Sequence, residues 1–140
     1  MGILGRLMIL SRLADAGVES ALRAHGLTIP EFDVLAVMRR CGPPFKQPVG
    51  VLWEHTLLSS GAMTNRIDRL EQKKLVRRVP NPTDRRGVFV ELTPKGRTMI
   101  DELVGLLLAE ALERVSVLSA KDQRQLEALL KRLVSALSDP

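Results

Sequence analysis

Ser60, Gly61, Thr64, Asn65 and Arg69 fall within one predicted helix, and Asp84, Arg85 and Arg86 within a turn that follows it. Asparagine and arginine are the side chains that bond adenine and guanine edges in pairs, and a glycine lets a helix backbone approach a duplex closely. The chemistry on offer is recognition of base edges and phosphates. With about 100° per residue, Met63, Ile67 and Leu70 form a stripe to be buried, while Gly61, Asn65, Asp68 and Gln72 face the other way with Arg69 beside them. On these features alone, an ordinary surface helix fits equally well.

The segment after this helix breaks the tie. "LVRRVP" and "GVFVEL" are short β-like runs, the second alternating Val88, Val90 and Leu92 with Phe89 and Glu91. "NPTDRR" between them has turn chemistry, because Asn and Asp tolerate left-handed backbone and Pro82 fixes φ. The expected product is a hairpin whose tip carries Arg85 and Arg86. Such a wing can lie along a DNA backbone while an arginine, here Arg86, enters the narrow minor groove, with Asp84 close enough to brace it.

Charge follows the same segment. The chain carries a net +5, yet residues 59 to 97 alone hold ten Lys or Arg against four acids, and the remainder is nearly balanced. An excess confined to one structural unit is the footprint of a polyanion binder. Catalysis has little support: His25 and His55 are far apart and adjoin no Cys or carboxylate cluster, and no Gly-rich phosphate loop or nucleophile elbow occurs. Aromatics make up 3% of the chain, too few to supply the stacking platforms of single-stranded RNA recognition. The single Cys41 leaves no internal disulfide and is expected as a half-buried residue near a helix end. No window reaches the roughly 18 apolar residues of a membrane span, and Arg6 and Arg12 interrupt any signal-peptide core, so a cytoplasmic location is expected.

The elements that must position these residues are mostly helical. Apolar residues 3, 7, 10, 14, 18 and 21 predict a helix over 3 to 24. Thr28 and Glu31 form a capping box for a second, running to about Cys41. "VGVLWEHTLL" reads as a short third helix offering Val49, Leu52 and Trp53 to the core, and Ser59 as the cap of the fourth. Thr93 and Pro94 open another helix after the wing, and Ser119 with Asp122 caps a last one with apolar positions 126, 129, 130, 133, 134 and 137. Apolar surface in the terminal helices exceeds what a small head can bury. That surplus predicts a homodimer built from both chain ends, residues 1–27 and 98–140, around a DNA-binding region at 28–97.

The stretch "SSGAMTNRIDRLEQKKLVRRVPNPTDRRGVFVELTPKG" resembles the MarR family of winged helix-turn-helix regulators, with Asp84, Arg86, Leu92, Thr93 and Gly96 as the wing signature. The resemblance implies a mostly α fold with a small β-hairpin wing and a dimer placing two recognition helices in successive major grooves of a pseudo-palindromic operator. It further implies repression relieved by a small ligand. Lys74 stands where the family usually has the Gly that closes the recognition helix, and Gln47 where Ser or Thr is commoner. A finer resemblance, to the PecS-like, urate-responsive subgroup, implies a ligand site at Asp33, Arg66 and Arg78 for a small anionic effector, urate-like or phenolic, with no cofactor. The subgroup's N-terminal Trp has no counterpart here. The wheel places Arg66 nearer the buried stripe than the outward face, so an ion pair with Asp33 is the competing expectation. The alternative functions are a non-specific nucleic-acid binder or a protein-interaction winged helix.

Overall fold

The computed structural model describes residues 2–56, 60–85 and 87–138. Their elements run α1 (Ile3–Ala24), α2 (Ile29–Arg40), β1 (Lys46–Pro48), α3 (Val49–Glu54), α4 (Ser60–Gln72), β2 (Val76–Pro80), β3 (Val88–Leu92), α5 (Pro94–Val115) and α6 (Ala120–Ser138). Ser59 and Arg86, expected as the α4 cap and the minor-groove arginine, lie outside the described residues.

Local chemistry sets the helix ends. At the start of α2 the Thr28 hydroxyl accepts from the Glu31 N–H at 3.4 Å while the Glu31 carboxylate accepts from the Thr28 N–H at 3.2 Å. Helices α1 and α4 end in the same motif. The Leu27 N–H donates back to Leu22 C=O and the Leu75 N–H to Leu70 C=O, each at 3.0 Å, across a left-handed residue. That residue is Gly26 in α1, with φ 71°, and Lys74 in α4, with φ 60°. The four leucines so paired are all buried.

The sheet is antiparallel, in the order β1-β3-β2. The β2–β3 hairpin pairs Arg78 with Val90, as the alternation around Val90 predicts, and β1 adds Lys46 opposite Glu91. Strand β1 corrects the two-strand expectation. Only three residues long and ending in Pro48, it has no alternation to read, and its pairing partner lies over forty positions away.

Two compact units divide the chain, one ending at Gly105 and the other beginning at Leu106. In the first, Leu22, Leu35, Met38, Leu52, Met63, Ile67, Leu70, Val90 and Ile100 form a buried core. Trp53 does not join it and is 50% exposed, because the short α3 turns one face inward and Leu52 occupies that face. Cys41, expected half-buried, is exposed at the end of α2. Helix α1 presents Ile3, Leu4, Met8, Leu10 and Leu13 to solvent. In the second unit Ser119 caps α6, accepting from the Asp122 N–H at 3.2 Å, and Leu108, Leu112, Leu129, Leu133, Val134 and Leu137 are exposed. Among the described residues no helix is long and apolar enough to cross a membrane.

Candidate nucleic-acid interface

Helix α4 divides as its spacing requires. Met63, Ile67 and Leu70 are buried, and Gly61, Thr64, Asn65, Asp68, Arg69 and Gln72 are exposed along the opposite side. Ser60 is its first residue. A Cβ added at Gly61 would meet no described atom within 4 Å, so nothing among the described residues requires glycine there. Close approach from outside is what this position permits.

The hairpin tip is ordered by its own side chains. Asn81 Oδ1 accepts from the Thr83 N–H at 3.0 Å and from the Thr83 hydroxyl at 2.8 Å, an Asx turn. The Gly87 N–H donates to the Asp84 carbonyl at 3.0 Å, closing the loop that carries the exposed Asp84 and Arg85.

Wing and helix are tied together by Arg78. From β2 its guanidinium donates to Asp68 Oδ1 and to Glu71 Oε2, each at 2.6 Å, and its backbone N–H reaches Glu71 Oε1 at 3.2 Å. Partial burial pulls the Arg78 pKa down, but the hydrogen bonds to Asp68 and Glu71 carry it above its ordinary value. The clamp also matters electrostatically. Asp68 sits on the outward side of α4, where an unpaired carboxylate would repel phosphate.

The three residues expected to gather around a ligand are held by different partners. Arg78 is occupied by Asp68 and Glu71. Arg66 Nη1 donates to the Thr28 hydroxyl at 3.4 Å, and its buried Nε has no partner among the described residues. Asp33 is exposed and forms no described ion pair with Arg66. Partial burial raises its pKa and the charge of Arg40 offsets part of the rise. The expected Asp33–Arg66 pair is therefore absent, because Arg66 reaches the α2 cap and Asp33 lies on the open side of α2.

Sequence reasoning missed the seat beneath the end of α4. The Thr93 hydroxyl donates to the Lys74 carbonyl at 2.7 Å while accepting from the Gly96 N–H at 3.0 Å, and Lys95 Nζ donates to the Lys73 carbonyl at 3.1 Å. "LTPKG" signals a helix start, and its second task of closing another helix has no local signature.

Comparison with known proteins agrees with this geometry. The sequence model of the MarR family matches residues 25–87. The HTH-type transcriptional regulator PecS of Dickeya dadantii is 32% identical over 133 residues, covering 95% of this chain and 80% of PecS. The HTH-type transcriptional regulator MhqR of Bacillus subtilis is 37% identical over 112 residues, covering 80% of this chain and 75% of MhqR. Among solved structures, a MarR variant from Escherichia coli complexed with operator DNA superposes with a TM-score of 0.76 at 31% identity, covering 93% of this chain and 92% of that one. Exposed polar face of α4, clamped hairpin and likeness over nearly the whole chain converge: the protein belongs to the MarR family and is a DNA-binding transcriptional regulator.

Proposed function

We propose that the chain acts as a homodimeric, ligand-responsive repressor that occupies a pseudo-palindromic operator. One observation carries the reading of sequence: Gly61, Thr64, Asn65 and Arg69 stand exposed on α4 within the same compact unit as the wing. A protein of this design reads bases with α4 and lays its wing tip, with Arg85, along the phosphate backbone while Arg86 enters the minor groove. Asp84 braces the arginine tip. Dimerisation is supported by the exposed apolar residues along α1 and α6, a kind of surface that marks protein–protein contact. Leu13→Glu or Leu133→Glu should shift the sedimenting species to a monomer. With DNA as its partner the chain works in the cytoplasm, and no catalytic role is assigned to it.

The finer placement in the PecS-like subgroup rests on Asp33, Arg66 and Arg78 as an anion site. The unmet Nε of Arg66 supports it, since an anionic effector, urate-like or phenolic, would satisfy that donor. Arg78 could join only by exchanging Asp68 or Glu71 for the ligand, which would loosen the wing from α4.

Selection of bound duplexes from a random pool at near-physiological salt tests the function. A pseudo-palindrome with half-sites about one helical turn apart is expected. Recovery of no motif, with affinity still falling steeply as salt rises, would mark a non-specific binder instead.

A further inference from the structure

The capping box that starts α2 is also the point at which α4 is anchored. Arg66 of α4 and Lys73, the residue just past its end, lie about two turns apart on one side, and both reach it. Arg66 Nη1 bonds the Thr28 hydroxyl, and Lys73 Nζ lies 2.6 Å from Glu31 Oε2 and 2.6 Å from the Gly26 carbonyl. Glu31 is 1% exposed and accepts from both the Thr28 N–H and Lys73, whereas Lys73 is 38% exposed. Two cations at a helix N-terminus would oppose the α2 dipole, and the buried carboxylate makes the contact favourable. A buried carboxylate for which capping alone needs no charge, aimed at a lysine from another helix, has a further use.

We infer that Glu31 and Lys73 are positioning residues for DNA reading, holding the C-terminal end of α4 against the α1–α2 corner and so fixing the angle at which its N-terminal half meets a major groove. The inference rests on the reading of α4 as the recognition helix. At 13 residues α4 is about 20 Å long, so a tilt of only about 5° about this anchor displaces its first turn by about 2 Å, enough to break a bidentate base contact. Thr93 and Lys95 hold the same end through the Lys74 and Lys73 carbonyls but bond only backbone. Lys73 supplies the side-chain tether from that end to α2.

The alternative role for a part-exposed lysine beside DNA is a phosphate contact, and the two roles separate in measurement. The probe is a duplex enriched by the parent protein from a random pool, compared with a scrambled duplex of equal length and composition over a range of salt. The double variant Glu31→Gln/Lys73→Met removes both charges, keeps an acceptor in the capping box and leaves no buried charge alone. It should bind the enriched duplex about tenfold more weakly, the scrambled duplex within about twofold of the parent, and retain the parent's salt slope. Equal loss on both duplexes, with the slope reduced by about one, would make Lys73 a phosphate contact and overturn the inference.

Should the double variant not fold, judged by its thermal melt, Glu31→Gln alone decides. Removing a negative charge strengthens DNA binding if only net charge matters, whereas loss of the tether weakens binding to the enriched duplex by about threefold. Equal or tighter binding to that duplex overturns the inference. If the parent enriches no duplex, the recognition-helix reading itself falls; if it does and the variants bind as the parent does, only the positioning role falls.

Discussion

Gly96 of α5 lies directly against the backbone of Leu75, so close that a Cβ on residue 96 would overlap the Leu75 carbonyl oxygen and stand 2.8 Å from its carbonyl carbon. Both residues also meet Thr93, whose N–H donates to the Leu75 carbonyl and whose hydroxyl accepts from the Gly96 N–H. The chain leaving α4 is thus seated on the first turn of α5. Gly96→Ala forces backbone apart at that seat, for which about 3 kcal/mol of stability is expected to be lost. Urea unfolding of the two proteins measures it, and a loss under about 0.5 kcal/mol would mean the seat yields.

Lys74 adopts the left-handed conformation that Gly26 adopts at the matching end of α1. A side chain there costs roughly 1 to 2 kcal/mol, part of which glycine returns through a more flexible unfolded chain. Lys74→Gly should therefore stabilise the fold by about 0.5 to 1 kcal/mol, seen as a higher melting temperature. Lys74→Ala, still carrying a Cβ, should leave it nearly unchanged.

The clamp of Arg78 on Asp68 and Glu71 predicts a partial rescue. Arg78→Ala releases two carboxylates beside the exposed side of α4 and should weaken binding to an enriched duplex. Adding Asp68→Asn should recover part of the loss, with a coupling of about 0.5 to 1 kcal/mol given how exposed these groups are. Strict additivity in a double-mutant cycle would show that Arg78 acts independently of Asp68.

Asp33 gives a pH signature. Its pKa is raised in the folded protein by partial burial, so the native state holds its proton more tightly than the unfolded chain does, and the group costs stability as pH rises from the unfolded pKa through the folded one. Asp33→Asn removes that cost. The variant should melt higher than the parent at pH 7, and the gap should close as pH falls below about 4. A gap that widens toward acid would reverse the assigned direction.

Much of the fold is legible in short-range chemistry. The α1 limits, the Thr28–Glu31 capping box, the Ser119 cap and the β2–β3 pairing follow from periodicity, cap residues and turn residues within a few positions of each other. What escaped was long-range. Strand β1 exists only because β3 offers an edge, and Trp53 is outside because Leu52 fills the one inward face that α3 has. In the candidate site, the outward face of α4 is readable from the wheel, but the partners of its charges are not. Arg66 reaches Thr28 instead of Asp33, and Arg78 reaches back to Asp68 and Glu71, choices that depend on how α2, α4 and β2 pack. Lys73, one of ten basic residues in its segment, carries no sign in the sequence of its tie to buried Glu31.

The central claim is that the exposed face of α4 reads bases, and Asn65 tests it most directly. Base preferences selected from a random duplex pool by the parent and by Asn65→Ala are to be compared at the same salt. A lost preference at one symmetry-related pair of positions is predicted, with about 1 to 3 kcal/mol of discrimination gone there and the other positions retained. Identical preferences from the two proteins would contradict the account.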